Sequence, residues 1–284
     1  MRLAQYLNGI IVNADSMQVY DGLRLITARP SVADEAQVPH RLYGYVPLNH
    51  TYSVGIWASD VRLEIEKASR ERRAIILVGG TGLYFRVLLE GLTPIPQTPD
   101  QIRIEVRQRF ATMGREAFRA QLATRDPCSA ERFNDPQRLI RAAEVVESTG
   151  VPLSIWKTRP KVGAISPPNL QKVLLLPPRT QIYERCDQRQ RNIVIGGGIR
   201  EAEEILKLSL DPSLPAMKAL GLPYIMEYLK NGVSLEAVIE EVQRSVRNYA
   251  KRQYTWFRQQ MSDWSVIESV GSEVDVCQVV NSKT

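Results

Sequence analysis

Cysteine and histidine are scarce in this sequence. Its 284 residues hold three cysteines, Cys128, Cys186 and Cys277, and two histidines, His40 and His50. No C-x-x-C pair occurs, so no zinc pattern can be read from ligand spacing. The thiols read as reduced side chains of a cytoplasmic protein. No apolar run approaches the ~18 residues that a bilayer crossing needs. The N-terminus, Met1-Arg-Leu-Ala-Gln-Tyr-Leu7, lacks the apolar stretch and small-residue cleavage site of a secretory signal. Internal repeats and low-complexity tracts are missing as well.

Hydrophobic residues make up 44% of the chain and charged residues 24%, a balance that buries a core and argues against disorder. The length suits one large domain or two smaller ones. A net charge of +6 favours an acidic partner. Nucleic acid, a phosphorylated small molecule and a membrane surface all meet that description, and charge alone does not choose among them.

Three short apolar runs read as strands buried on both faces: Ile10-Ile11-Val12, Ala74-Ile-Ile-Leu-Val78 and Lys172-Val-Leu-Leu-Leu176. Residues 58–70, with Val61, Ile65 and Ala68 at helical spacing, supply a crossover helix before the second run. This alternation predicts an α/β fold, a parallel sheet flanked by helices. From about Thr98 the pattern changes. Ile102, Val106, Phe110 and Met113 mark one face of an amphipathic helix, and no strand signal returns until Lys172. The expected organisation is an α/β core over 1–98 and 169–284, interrupted by a mostly helical insert over 99–168 between two strands of the main sheet. Pro94, Pro96 and Pro99 mark the entrance of the insert; Pro160, Pro167 and Pro168 mark its exit. Helices continue from Pro178 to about Met261, and Val266 to Thr284 yields no reading.

Asn13-Ala-Asp-Ser-Met-Gln18 leaves the first strand at the carboxyl edge of the sheet, where open α/β sheets place their ligands. Asp15, Ser16 and Gln18 therefore stand where chemistry is done, although Asp and Ser also build ordinary turns. Gly79-Gly-Thr-Gly-Leu-Tyr84 leaves the second strand and opens a helix. Its glycines admit close backbone approach, the helix start offers free N–H groups, and Thr81 adds a hydroxyl. An anion such as a diphosphate suits that turn; a plain tight turn is the competing reading.

Arg138 and Arg141 of Gln137-Arg-Leu-Ile-Arg141 share a helix face. Residues 101–159 carry eleven basic residues against seven acidic ones, which fits either a phosphate-backbone footprint or a solvated surface. Arg244, Arg247, Lys251 and Arg258 form a second basic stripe, interleaved with Tyr249, Tyr254, Trp256 and Phe257. Aromatics beside cations suit stacking on unpaired bases, while Phe257 reads better as a core anchor. Arg185 and Arg189 follow the third strand within reach of a phosphate at the sheet edge. Gly196-Gly-Gly198 reads as a helix break.

Taken jointly, these motifs resemble the tRNA dimethylallyltransferase family, also called tRNA isopentenyltransferases. The resemblance rests on Asn13-Ala-Asp-Ser-Met-Gln-Val-Tyr20, Thr27-Ala-Arg-Pro30, Val38-Pro-His40, Tyr52-Ser53, Gly79-Gly-Thr-Gly-Leu-Tyr84 and Gln137-Arg-Leu-Ile-Arg141. Pro215-Ala-Met-Lys-Ala-Leu-Gly221 and Ala250-Lys-Arg-Gln-Tyr-Thr-Trp-Phe-Arg258 extend it to about residue 260. It implies a P-loop NTPase-like, nucleotide-binding core and transfer of a dimethylallyl group from dimethylallyl diphosphate to N6 of adenosine 37, beside the anticodon of tRNA. By the same resemblance Asp15 accepts the N6 proton, and Asp15, Ser16, Met17 and Gln18 grip the target nucleotide. Thr81 and Arg103 contact the transfer site and tRNA, Thr81 and Arg189 the diphosphate. Gln137, Arg138, Leu139, Ile140 and Arg141 meet the anticodon stem-loop. Mg²⁺ is expected on the diphosphate, and a cytoplasmic monomer with no membrane partner is expected. A prenyltransferase acting on free adenine nucleotides and a tRNA-binding protein without catalysis are the rival readings.

The family normally opens with a strand and a loop of the form G-x-T-x-S-G-K-[ST]. No G-x-x-x-x-G-K-[ST] occurs among these 284 residues, and the expected Mg²⁺ ligand belongs to that loop. The expectation is that the reading frame upstream of Met1 encodes it. The competing expectation is a shortened chain that binds diphosphate poorly.

Overall fold

Ile10–Asn13 form β1, and all four residues are buried. Its two neighbours are parallel: β2 (His40–Arg41) on one side and β3 (Ile75–Val78) on the other, in the order β2-β1-β3. β-branched residues fit this doubly covered position because their side chains pack on a pleated surface from both faces. The computed structural model describes residues 1–167, 169–269 and 279. Within them the chain divides into two compact units, Met1–Val87 with Ser166–Thr284, and Leu88–Ile165.

The first unit begins with a short helix, α1 (Arg2–Tyr6), ahead of β1. Between β1 and β2 lies α2 (Val32–Gln37), opened by a capping box of Ser31 and Asp34. The crossover to β3 is α3 (Val54–Arg70), capped by the Ser53 hydroxyl, with Trp57, Ala58, Val61 and Ala68 buried. Trp57 and Val61 are 0% exposed, and each such side chain contributes on the order of 1.5–3 kcal/mol by leaving water. β3 runs into α4 (Gly82–Glu90).

The second unit is helical. α5 (Asp100–Ala123), α6 (Pro127–Arg132), α7 (Pro136–Thr149) and α8 (Leu153–Trp156) enclose one core around Val106, Phe118, Leu139 and Trp156. Ile102, Val106 and Phe110 face that core as their spacing predicts. Met113 does not: it is 39% exposed, next to Gly114, whose φ of 73° breaks the helix and turns the stripe away. α7 carries a full set of end signals, with Asp135 capping, Pro136 in the first turn and Gly150 left-handed at the end.

Beyond the helical unit the first unit resumes with β4 (Val173–Leu175). Here the sequence expectation is corrected. β4 does not join the sheet of β1 and β3; it pairs in parallel with β5 (Ser265–Ile267), in a separate two-stranded sheet. An apolar run identifies a strand without identifying its partner. α9 (Arg179–Ile193) passes through a π-helical turn over Val194–Gly198 into α10 (Ile199–Lys207). Gly197, at φ 130°, is the residue that lets the glycine run bend there. α11 (Leu222–Asn231) and the long α12 (Leu235–Gln260) complete the helices. Val19, Tyr20, Leu23, Ala202, Leu222, Ile225 and Val242 bind them to the chain that follows β1. No helix among the described residues is long and apolar enough to cross a membrane. Cys277 and Pro168 lie outside the described residues.

Candidate active site

The carboxyl ends of β1 and β3 are locked together before any functional side chain is placed. Ala14 N–H donates to Val78 O at 2.8 Å, and Thr81 N–H donates to Ala14 O at 3.2 Å. A Cβ added to Gly79 would lie 2.1 Å from the Ala14 carbonyl carbon, so only glycine permits this approach. Asn13, 0% exposed, organises the exit of β1. Its amide nitrogen donates to Asp15 O and Leu42 O, and its Oδ1 accepts from Asp15 N–H at 2.8 Å. Its main-chain oxygen accepts from Trp57 Nε1, and the Trp57 indole stacks on Tyr84 at 4.2 Å. A buried amide with this many partners is a fixed post, because each unmade bond would leave a desolvated polar group.

Asp15 stands on that post. Its Oδ1 accepts the N–H groups of Met17 at 2.8 Å and Gln18 at 3.4 Å. Burial raises its pKa above the usual carboxylate value, while those two N–H groups and the positive charge of Arg189 pull the other way. The bare backbone of Gly80 makes room for Gln253 beside the carboxylate: a Cβ there would sit 2.1 Å from Gln253 Nε2 and 3.8 Å from Asp15 Oδ2. Thr81 closes the other side, its Oγ1 accepting from Ser16 N–H at 3.0 Å and donating to Ser16 Oγ at 3.3 Å. Gln253 of α12 donates from Nε2 to Gly80 O at 2.7 Å and ties that helix to the glycine turn.

Three phenols surround the carboxylate electrostatically. Burial holds the pKa of Tyr43, Tyr84 and Tyr249 above the ordinary phenol value, and the charge of Asp15 pushes each further up. They remain protonated at neutral pH. Neither histidine joins it: His40 Nδ1 bonds Val38 O, and His50 Nδ1 bonds Asn49. A cleft of about 750 Å³, lined among others by Leu25, Ile182, Arg185, Arg189, Ile193 and Gln253, places two exposed guanidinium groups beside apolar side chains. Among the described residues no three His, Cys, Asp or Glu side chains come together to hold a metal ion.

Asp15, Ser16 and Thr81 are thus brought together as the motifs suggested, but two neighbours are otherwise engaged. Gln18 directs its amide nitrogen to the carbonyls of Thr27 and Ala28, at 2.9 and 3.2 Å, closing its own loop. Met17 packs against the hydrophobic core. In the helical unit Gln137 and Arg138 are exposed at the start of α7, Arg141 is partly exposed, and Ile140 packs against the core. Leu139 is 0% exposed, so its side chain anchors α7 and offers nothing to a partner. Arg103 sits near Asp100 at 3.5 Å. Along α12, Arg244 and Arg247 are ion-paired with Glu241 and Asp187, Arg252 lies over Tyr249, and Arg258 lies over Tyr254. Trp256 covers Gly82, and Phe257 is buried, as expected of a core anchor. Sequence reasoning passed over Asn13, Tyr43 and Gln253 as parts of the site. Only Asn13, polar at the end of an apolar strand, carried a readable signal.

The same arrangement of chain occurs in solved proteins. A full-length tRNA isopentenylpyrophosphate transferase from Bacillus halodurans matches with a TM-score of 0.68 at 29% identity, over 99% of this chain and 88% of that one. The tRNA dimethylallyltransferase of Chelativorans sp. (strain BNC1) is 45% identical over 93% of this chain and 91% of its own length. That of Rhodospirillum centenum is 46% identical over 92% and 83%. The family pattern described as IPP transferase matches residues 18–260, which include Gln18, Thr81, the α7 motif, Arg189 and Gln253. With that span and those relatives, the chain belongs to the IPP transferase family.

Proposed function

We propose that the chain is a tRNA dimethylallyltransferase, moving a dimethylallyl group from dimethylallyl diphosphate to N6 of adenosine 37 in the anticodon loop. The observation that carries this reading is Asp15: a desolvated carboxylate, pinned by two N–H groups, beside the glycine turn after β3 and under the influence of Arg189. Adenine N6 is a weak nucleophile. As its lone pair bonds to C1 of the allyl group, the C1–O bond to diphosphate breaks and N6 releases a proton. Asp15 accepts that proton, and a carboxylate of raised pKa is the better base for it. Arg189 and Arg185 meet the negative charge that grows on the departing diphosphate. Leu25, Ile182 and Ile193 line the same cleft with an apolar wall suited to a five-carbon chain that must be kept from water.

Mg²⁺ is the ion expected with the diphosphate, but the described residues supply no carboxylate cluster to cage it. The helical unit, with Arg138, Arg141 and Arg103, serves as the tRNA-binding insert. An anticodon loop suits such an enzyme because its unpaired base can leave the stack at small energetic expense.

The test is prenylation of an anticodon stem-loop and of AMP by the purified chain, with dimethylallyl diphosphate and Mg²⁺, read as N6-dimethylallyladenosine by mass spectrometry. Product on the stem-loop alone, abolished in Asp15→Asn, is expected. Product on AMP alone would reassign the chain to free nucleotides, and tight stem-loop binding without product would reduce it to a tRNA-binding protein.

A further inference from the structure

Glu144 is a buried acidic residue of the helical unit, its side chain 5% exposed on α7. A carboxylate withdrawn from water this far is strongly unfavourable unless cations face it. Two do. Oε1, which has no hydrogen-bond partner, lies 3.5 Å from Arg107 Nε, and Oε2 lies 3.5 Å from Arg141 Nη1. The same Arg141 Nη1 donates to Thr98 Oγ1 at 2.8 Å, and Thr98 is itself buried at 1% exposure. The arginines remain in solvent, with 56% and 40% of their side chains exposed. One buried acid and one buried hydroxyl therefore hold the inner edges of two guanidinium groups whose outer faces are open.

We propose that Glu144 is a positioning residue for RNA: it aims Arg141 and Arg107 at the phosphates of the anticodon stem-loop. The inference rests on the reading of α7 as an RNA-binding face. A planar fork recognises phosphate only in a fixed orientation. Unheld arginine side chains lose rotamer entropy on every binding event. A carboxylate on the inner edge removes that loss and leaves the outer N–H groups for the ligand.

The sign of the effect separates this role from simple charge. Glu144→Gln keeps the shape and raises the net charge of the unit by one, so electrostatics alone predicts tighter RNA binding. Positioning predicts weaker binding, by about tenfold, the size of one charge-assisted contact. Thr98→Val, which removes the second support of Arg141, is expected to weaken binding in the same direction. Stem-loop dissociation constants at fixed salt, with KM and kcat for prenylation, should show a raised Kd and KM with kcat within about twofold. Adding Glu144→Gln to Arg141→Ala should have little further effect, because the group to be aimed is gone. Unchanged or tighter binding in Glu144→Gln, or full additivity with Arg141→Ala, overturns the inference. Unchanged binding in Arg141→Ala alone instead overturns the reading of α7 as an RNA face. If Glu144→Gln fails to fold, Thr98→Val decides by the same two measurements.

Discussion

The N–H of Ser16 donates to the Thr81 hydroxyl at 3.0 Å, joining residues 65 positions apart. The bond couples the turn after β1, which holds the carboxylate, to the turn after β3, which opens α4. Thr81 also docks its own N–H on Ala14 O, so both its backbone and its side chain fix the segment on which Asp15 sits.

Thr81→Val should therefore impair catalysis through geometry as well as through the lost hydroxyl. An N–H left unpaired in a partly buried turn costs about 1–3 kcal/mol, roughly a tenfold to hundredfold loss in rate if it falls on the transition state. Thr81→Ser keeps the acceptor and should stay within a few-fold of the parent. Single-turnover prenylation of a stem-loop measures both, and equal rates for the Val and Ser variants would deny the hydroxyl any part.

In the proposed reaction Asp15 has two separable tasks, base and cap. Asp15→Asn retains an oxygen to accept from Met17 and Gln18 but cannot take a proton. Loss of a general base lowers turnover by about 10²–10⁴-fold. Asp15→Ala should reach at least that loss and loosen the turn too, with stem-loop affinity little changed in either variant. A kcat near that of the parent in Asp15→Asn would move proton transfer elsewhere.

The raised pKa of Asp15 carries a definite pH dependence. With Asp15 as the proposed base, activity requires the carboxylate, so kcat/KM should fall as pH drops through a pKa above that of an ordinary aspartate. Arg189 lowers that pKa, so Arg189→Gln should shift the acid limb to higher pH. Stability runs the opposite way. A carboxylate whose folded pKa exceeds its unfolded value favours folding below the unfolded pKa and forfeits that contribution as pH rises through the folded one. Asp15→Asn should therefore raise Tm at neutral pH, and a lowered Tm there would mean that the cap outweighs the buried charge.

How much of this was legible in the sequence follows from range. β1, β3 and α3 were readable because period and branching are local properties, and the placement of Asp15 and Thr81 together followed from polar residues at strand exits, whereas the roles proposed for them came from the family resemblance. The pairing of β4 with β5 was not readable, since a three-residue strand such as Ser265–Ile267 has no periodicity to detect. Nor was the engagement of Gln18 with Thr27 and Ala28 visible, because an amide reads identically whether it meets a ligand or its own loop. Leu139 sits inside a motif of polar neighbours, and only the helical phase of α7 separates it from them. Glu144 looked like one of seven acids in a basic segment until its burial was known.

Gly79→Ala tests the backbone of the site. Its Cβ would meet main-chain atoms of Ala14 at 2.1 Å, and main chain cannot rotate aside. Overpacking of that kind costs about 1–3 kcal/mol or more. The variant should show a clearly lowered Tm and little activity. A stable, active Gly79→Ala would mean that β1 and β3 separate more easily than their ladder suggests.

Charge on the helical unit is the remaining question, and salt answers it. Each phosphate neutralised by a cation releases counterions, giving a slope of about −0.7 per contact in log K against log salt for single strands and about −0.9 for duplex. Arg138 stands free at the first turn of α7, whereas Arg141 shares its charge with Glu144, so the two should not count equally. Replacing both by Ala should flatten the slope by about 0.7 to 1.8, with Arg138→Ala responsible for the larger part. Affinity should fall for all stem-loop sequences alike, because phosphate contacts carry no sequence information. If the double variant binds more weakly at an unchanged slope, the arginines act through shape. If neither affinity nor slope moves, Arg138 and Arg141 belong only to a solvated surface.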